Sequence, residues 1–337
     1  MKYSVIVPVY NRPDEVDELL ASLCRQEEKD FEVVIVEDGS QVTCEEVCRK
    51  YEDRLQLKYF MKSNSGPGQS RNYGAERGSG EWLIVLDSDV VLPDGYLKAV
   101  TAELASHPCD AWGGPDAAND SFTPVQKAIS YSMTSFFTTG GIRGGKAKLD
   151  KFYPRSFNMG IRRDVYMSLS GFSKMRFGED IDFSYRIVEA GYKTALLPEA
   201  WVWHKRRTDF RKFFRQVFNS GIARINLEKR HPGTMKLVHL LPMLFTVGTL
   251  SLLLIALCGL FIALWLPAIA LLPLLLYSLI IFIDSSIRNK SLWVGLLSIP
   301  AAFVQLMGYG FGFLKAWWKR IVLRQDEFTA FEKNFYK

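Results

Sequence analysis

Trp82-Leu83-Ile84-Val85-Leu86-Asp87-Ser88-Asp89 is the stretch that decides the fold: an apolar run that delivers two carboxylates one residue apart. Consecutive apolar residues with β-branched members predict a buried strand, and a strand covered on both faces belongs to a parallel sheet. Whatever follows Leu86 then emerges at the sheet edge where open α/β sheets bind ligands. Side chains at i and i+2 of an extended segment share a face, which puts Asp87 and Asp89 side by side. Two like charges so close are unfavourable unless a cation lies between them, and hard oxygens suit Mg2+ or Mn2+. The same residues also make an ordinary solvated Asp-Ser-Asp turn, and these eight positions alone do not choose between the two.

Outward from this strand the chain alternates in period. Tyr3 to Tyr10 reads as a first strand, and Pro13 opens a helix whose Val16, Leu19, Leu20 and Leu23 follow helical spacing. Phe31–Val36 is a second strand ending in the turn Glu37-Asp38-Gly39-Ser40, a polar helix spans Glu45–Tyr51, and Leu55–Phe60 is a third strand. A loop over Met61–Gly68 and a short helix over Gln69–Glu76 lead into the strand quoted above. Strands alternating with helices predict an α/β domain with a parallel sheet and right-handed crossovers. Neither a Gly-x-x-x-x-Gly-Lys-Ser/Thr nor a Gly-x-Gly-x-x-Gly after the first strand is present, which makes a P-loop NTPase and an ordinary Rossmann dehydrogenase poor fits. Four polar turns fall at strand ends instead: Asn11-Arg12, Glu37-Asp38-Gly39, Gly66-Pro67-Gly68 and Asp87-Ser88-Asp89.

Composition separates the chain into regions. Of 337 residues, 237–283 contain no Asp, Glu, Lys or Arg, and neither do 291–314. A bilayer crossing takes about 20 apolar residues, so the first run can hold two helices, turning near Trp265-Leu266-Pro267, and the second a third. Residues 1–203 carry 24 Lys and Arg against 30 Asp and Glu, whereas residues 204–236 carry ten basic side chains against Asp209 and Glu228. A basic block beside a membrane segment favours the cytoplasmic side and anionic head groups; the adjoining apolar spans argue against nucleic acid as its partner. Phe210, Phe213, Phe214, Val217 and Phe218 recur at helical spacing among Arg and Lys, predicting a basic amphipathic helix that either lies on a membrane or packs on protein. Five scattered cysteines with no Cys-x-x-Cys pair suit a reducing compartment. The first strand is too short and Pro-containing to be a secretory core.

Val5-Ile-Val-Pro-Val-Tyr-Asn11, Val36-Glu-Asp-Gly-Ser40, Gly66-Pro-Gly-Gln-Ser-Arg-Asn-Tyr-Gly74, Leu86-Asp-Ser-Asp89 and Phe177-Gly-Glu-Asp-Ile-Asp182, in this order, resemble the family 2 glycosyltransferases over roughly the first 220 residues. The resemblance implies the GT-A fold, a mostly parallel twisted sheet flanked by helices, here with C-terminal transmembrane helices. It implies an inverting transferase with a nucleotide-sugar donor, and it assigns roles by position. Pro8 and Tyr10 floor the nucleotide pocket, Asp38 hydrogen-bonds the base, and Arg71 meets the diphosphate. Asp87 and Asp89 form the metal pair, with Asp87 shared between ribose and metal. His204, in Trp201-Val202-Trp203-His204, completes the shell, an imidazole being a more natural ligand for Mn2+ than for Mg2+. Asp180 is the base that takes the acceptor's proton, and Glu179 beside it binds the acceptor or orients the site. Adjacent residues on a helix point apart, so the two acids are expected to have different tasks, while acids at a helix start are also favoured by its dipole.

The resemblance further implies acceptor-contacting segments within Pro115–Asp164, a backing strand at Asn158–Arg162 and a loop at Gly171-Phe172. Thr138–Gly145, with Gly140, Gly141, Gly144 and Gly145, reads as a flap or a plain flexible loop. Gln216-Val217-Phe218-Asn219-Ser220 stands where processive synthases carry Gln-x-x-Arg-Trp, which favours transfer of single sugars. The organisation expected is a catalytic domain over 1–204, a basic juxtamembrane segment over 205–236, transmembrane helices within 237–314 and a basic cytoplasmic tail over 315–337. Lys315, Lys319, Arg320 and Arg324 follow the third apolar segment directly, so three full crossings and one interfacial segment both remain open. The expected protein is a multi-pass enzyme of the cytoplasmic membrane with a lipid-linked or glycan acceptor. The alternatives are a polyprenyl-phosphate sugar synthase and a catalytically inactive nucleotide-sugar-binding protein.

Overall fold

The computed structural model describes residues 1–117, 122–139, 152–205 and 207–327. In chain order it forms β1 (Tyr3–Val9), α1 (Pro13–Cys24), β2 (Phe31–Asp38), α2 (Glu45–Arg49), β3 (Leu57–Lys62), α3 (Pro67–Arg77), β4 (Trp82–Leu86) and β5 (Val90–Val91). These are followed by α4 (Tyr96–Ser106), β6 (Ala111–Gly113), β7 (Asp116–Ala117), α5 (Pro124–Thr134), α6 (Phe136–Thr139), β8 (Asn158–Arg162), α7 (Arg163–Ser168) and α8 (Glu179–Glu189). The remainder is β9 (Thr194–Leu196), β10 (Val202–His204), α9 (Phe210–Arg230), α10 (Leu241–Gly259), α11 (Leu266–Asn289) and α12 (Leu292–Trp317). They group into two compact units, residues 1–117 with 152–205, and residues 122–139 with 207–327. The stretch 122–139, which the sequence reading kept within a 1–204 domain, thus clusters with the C-terminal helices.

The first unit is a seven-stranded sheet in the order β3-β2-β1-β4-β8-β6-β9. All eight residues of β2, Phe-Glu-Val-Val-Ile-Val-Glu-Asp, are buried, as a central parallel strand between two helical layers requires. Helix α1 turns Val16, Leu19, Leu20 and Leu23 onto the sheet, where they join Val5, Val7, Val33 and Ile35 in the main core. The sheet is mixed rather than wholly parallel: β1, β2, β3 and β4 run together, but β8 lies antiparallel to both β4 and β6. The reason lies in the return of the chain, which re-enters beside the carboxyl end of β4 and has to run back along it. There the Asp87 N–H donates to the Phe157 carbonyl at 3.4 Å.

Where the functional edge lies follows from pairing. β1 pairs with β2 along its whole length but with β4 only over Tyr3–Ile6, and the strand order reverses between β1 and β4. The carboxyl ends of β1 and β4 therefore form a topological switch point of the kind that binds ligands. Pro8 sits beyond the last β1–β4 pair, where its missing N–H costs no hydrogen bond on that side. A second sheet, β5-β10-β7, runs antiparallel between β5 and β10 and parallel between β10 and β7.

The second unit is helical. Leu237–Gly259, Leu266–Asn289 and Leu292–Val322 are each long and apolar enough to cross a membrane. Gly308, Gly310 and Gly312 of α12 let neighbouring helices approach closely. A Cβ on Gly312 would stand 1.9 Å from the Phe218 carbonyl of α9, and one on Gly310 would stand 2.0 Å from Thr246 Oγ1 of α10. Reciprocally, Gly221 of α9 fits beneath the Tyr309 carbonyl of α12. Helix α9 runs for 21 residues, longer than the aromatic repeat suggested, and packs on α12 through Phe213, Val217 and Gly221 while Arg211, Lys212 and Arg215 stay exposed. The flap residues 140–145 and tail residues 328–337 lie outside the described residues.

Candidate active site

Three of the residues singled out from sequence converge at the carboxyl edge of β4. One ligand atom from each of Asp87, Asp89 and His204 lies within 4.8 Å of the others. The convergence is built by backbone pairing: β10 opposes His204 to Val90, and the Lys205 N–H donates to the Asp89 carbonyl at 3.1 Å. His204 Nε2 stands 3.1 Å from Asp89 Oδ1, and Phe157 stacks on the imidazole with centroids 5.0 Å apart. Two carboxylates and an imidazole, none more than a third exposed, form a donor set that fits a divalent ion, with the imidazole leaning towards Mn2+.

Arg71 occupies the centre. Its side chain is 4% exposed and its two amino groups are both engaged, Nη2 with Asp87 Oδ1 at 2.7 Å and Nη1 with Glu179 Oε1 at 3.1 Å. Phe172 lies beneath the guanidinium, 5.2 Å from its carbon to the ring centroid. The guanidinium thus ties two carboxylates together at the edge where the resemblance implies that it meets the diphosphate. Gly68, one turn earlier on α3, provides the room, since a Cβ there would come 3.1 Å from Glu179 Cγ.

Glu179 and Asp180 begin α8 after Gly178, whose φ of +85° is a left-handed conformation that glycine adopts without strain. They diverge as helix geometry requires, Glu179 to Arg71 and Asp180 to Arg155, whose Nε donates to Asp180 Oδ2 at 2.7 Å. Burial pushes Glu179 up to about 7, against the pull of Arg71 and with the Asp180 charge adding to the rise. Burial also opposes the charge on Asp180, but Arg155, with Arg71 behind it, holds that carboxyl below the usual range. The next acid, Asp182, is structural: it accepts from Ser173 Oγ and Arg186 Nε and so fastens the loop before α8.

Asp38 closes β2. It is 1% exposed, and its oxygens accept from Lys62 Nζ, Asn64 Nδ2 and the N–H groups of Ser65 and Gly66. A carboxylate has about four acceptor positions, and all four are taken. Asp38 thus ties the end of β2 to the start of α3, at the edge where the resemblance implies that it meets the donor's base. Pro8 and Tyr10 are half-buried at the end of β1, where Asn11 takes a φ of +54° and its Oδ1 accepts from the N–H groups of Gln41 and Val42.

Three residues at the edge escaped the sequence reading. Asp116 Oδ2 stands 3.9 Å from His204 Nδ1, because β7 pairs with β10 in register Asp116 to Val202. Its signal was present in Gly113-Gly114-Pro115-Asp116, a polar turn at a strand end like the other four. Arg155 and Phe157 follow Pro154 in a segment with no periodicity, and nothing in the sequence marks them.

The family model for Glycosyl transferase family 2 matches residues 4–169. Poly(ribitol-phosphate) beta-N-acetylglucosaminyltransferase TarS of Staphylococcus aureus is 39% identical over 114 residues, 33% of this chain and 20% of that protein. Validoxylamine A glucosyltransferase of Streptomyces hygroscopicus subsp. jinggangensis is 41% identical over 108 residues, 31% of this chain and 25% of that protein. The matched part thus spans a quarter or less of these two relatives. Glycosyltransferase AglE of Haloferax volcanii is 24% identical over 253 residues, covering 73% of this chain and 81% of that protein. Among solved structures, the mannosyltransferase PcManGT from Pyrobaculum calidifontis, in complex with GDP-Man and Mn2+, shares the fold with a TM-score of 0.62 at 19% identity, over 90% of this chain and 87% of that one. The fold, the ordered motifs and the matched family model together identify residues 4–169 as a family 2 glycosyltransferase domain.

Proposed function

We propose that the chain is an inverting, divalent-metal-dependent glycosyltransferase. In this reading it moves a single sugar from a nucleotide-sugar, a UDP-sugar in the first instance, to a lipid-linked or cell-surface-glycan acceptor at the cytoplasmic face of a membrane. The observation that carries this reading is the bridge through Arg71, which couples Asp87 of the Asp87–Asp89–His204 cluster to Glu179 beside Asp180. A transferase needs two opposed functions, a stabiliser for the departing diphosphate and a base for the incoming hydroxyl, and this bridge fixes the two groups of residues on one frame.

Asp180 takes the proton from the acceptor hydroxyl as that oxygen attacks the anomeric carbon. The bond from this carbon to the donor's β-phosphate oxygen breaks on the opposite face, so the configuration inverts. Asp87, Asp89 and His204 would hold Mg2+ or Mn2+, whose charge offsets the negative charge that develops on the leaving nucleoside diphosphate. Arg71 holds Asp87 and Glu179 in position, and Glu179 orients the acceptor side. The three apolar helices support a membrane setting and hence an acceptor that resides there.

The test is a donor screen on the purified full chain in detergent, following release of nucleoside diphosphate from UDP-sugars and GDP-sugars with Mn2+ and with chelator. Turnover of one donor, lost in chelator, is expected. Failure to bind or turn over any nucleotide-sugar would overturn the reading in favour of a non-catalytic protein.

A further inference from the structure

The candidate site holds two arginines of opposite character. Arg71 is closed, with both amino groups committed and 4% of its side chain exposed. Arg155 is open: its side chain is 40% exposed, only Nε is used, on Asp180, and its two amino groups make no hydrogen bond among the described residues. A guanidinium stays charged at any working pH and offers five donors in a planar fork. Arg155 therefore presents a permanent, half-used cation directly beside the residue that takes the acceptor's proton.

This placement is built. Ser184 Oγ of α8 donates to the Pro154 carbonyl at 2.5 Å, Tyr153 packs edge-on against Tyr185 of α8 with centroids 5.0 Å apart, and the Asn158 N–H donates to the Arg155 carbonyl at 3.1 Å. The segment is thus fastened on both sides of Arg155, while the fork itself projects into the open.

For a neutral acceptor this arrangement is counterproductive, because a cation on the base favours its ionised form and weakens proton abstraction. An oxyanion seated on the two free amino groups would offset that cation and restore the base at the moment the acceptor arrives, leaving Nε on Asp180. We propose that Arg155 selects the acceptor by holding an oxyanion, a phosphate or a carboxylate, next to the hydroxyl that Asp180 deprotonates. The inference rests on the transferase reading above and adds the acceptor's chemical class: a hydroxyl-bearing molecule with an anionic group near the reacting oxygen. A bidentate arginine contact suits phosphate and carboxylate alike.

The test uses the purified full chain in detergent with chelator, so that no metal can hold the anion. Inorganic phosphate is titrated by phosphorus NMR line width and acetate by carbon NMR, on the unaltered chain, Arg155→Gln, Arg155→Lys and, as a distant control, Arg162→Gln. Binding at least tenfold weaker in Arg155→Gln is expected for one or both anions, the affected anion telling phosphate from carboxylate. Arg155→Lys should be intermediate and Arg162→Gln unchanged. Should Arg155→Gln fail to fold, a loss of threefold or more in Arg155→Lys carries the same conclusion. Equal binding in the unaltered chain and the Arg155 variants, or no anion binding at all, overturns the inference. Donor turnover measured alongside separates the two claims: turnover without Arg155-dependent anion binding defeats this inference alone, whereas Arg155-dependent anion binding without any donor binding or turnover defeats the transferase reading and with it the acceptor role, leaving only an anion site at Arg155.

Discussion

Phe157 lies flat against His204, with ring planes 14° from parallel and centroids 5.0 Å apart. The stack fixes the plane of the imidazole and leaves its edges to Asp89 on one side and Asp116 on the other. Groups outside the metal's own ligands that hold a ligating imidazole by hydrogen bonds alter metal affinity about 10–100-fold when removed, and a stack that holds the same ring is expected to act at the lower end. Phe157→Ala should therefore weaken Mn2+ binding about tenfold, and Asp89→Asn or His204→Ala by more, in a calorimetric titration of the purified chain. Unchanged affinity in both Asp89→Asn and His204→Ala would remove the metal cluster from the account.

Arg71 makes a second, sharper expectation. Replacing it with Met leaves Glu179 buried without its partner and cuts the tie to Asp87, and removing one partner of a buried pair costs about 3–5 kcal/mol. Arg71→Lys keeps the charge but, as a single point donor, cannot span both carboxylates. Donor turnover should fall at least a hundredfold in Arg71→Lys with a smaller loss of thermal stability than in Arg71→Met; equal and near-native turnover in both would show that the bridge is incidental.

Acid stability tests a different buried acid. Glu32 of β2 is 2% exposed and accepts from Ser4 Oγ at 2.7 Å and Ser79 Oγ at 2.8 Å, with Lys58 Nζ 2.7 Å away. Burial alone would raise its pKa, but these partners outweigh it and draw it down to about 2. A folded-state pKa below the unfolded value of about 4.3 contributes stability that is present above that value and is lost as the pH falls towards 2. Allowing for solvent screening at the half-exposed Lys58, the contribution is about 2 kcal/mol. Glu32→Gln should lose stability at pH 7 and show a flatter decline between pH 5 and 2 in denaturant melts. An acid limb identical to that of the unaltered chain would contradict the assignment.

In the helical unit, Gly312 admits the Phe218 carbonyl of α9 to 1.9 Å from where a Cβ would stand, and Gly221 does the same for the Tyr309 carbonyl. Neither obstacle is a flexible side-chain end, so Gly312→Val and Gly221→Val must force α9 and α12 apart. Both should lower the thermal midpoint in detergent by several degrees, while Gly248→Ala, whose added Cβ meets nothing within 4 Å, should not. Tolerance of all three alike would mean that α9 does not depend on this contact.

The strands and their carboxyl edge were legible because each carries a period and a turn signal: the buried run Trp82–Leu86 predicts both a central strand and the place where Asp87 and Asp89 emerge. The antiparallel course of β8 was not, since nothing in Asn158-Met-Gly-Ile-Arg162 records direction; pairing with Trp82–Leu86 decides it. At the site, the family resemblance implied that Asp87, Asp89 and His204 come together, and the divergence of Glu179 and Asp180 followed from helix geometry. What the chain concealed was the partner of each charge. Asp38 accepts from Lys62, Asn64 and two backbone N–H groups, and Arg71 pairs with two carboxylates. Such contacts join residues up to 108 positions apart and carry no local signature.

Asp180→Asn removes the proposed base while keeping the side chain's shape. Turnover of the donor identified in the screen is measured on the purified variant together with donor affinity. Loss of turnover by a thousandfold or more is expected, with donor affinity within a few-fold of the unaltered chain. Turnover close to that of the unaltered chain would contradict the assignment of Asp180 as the base.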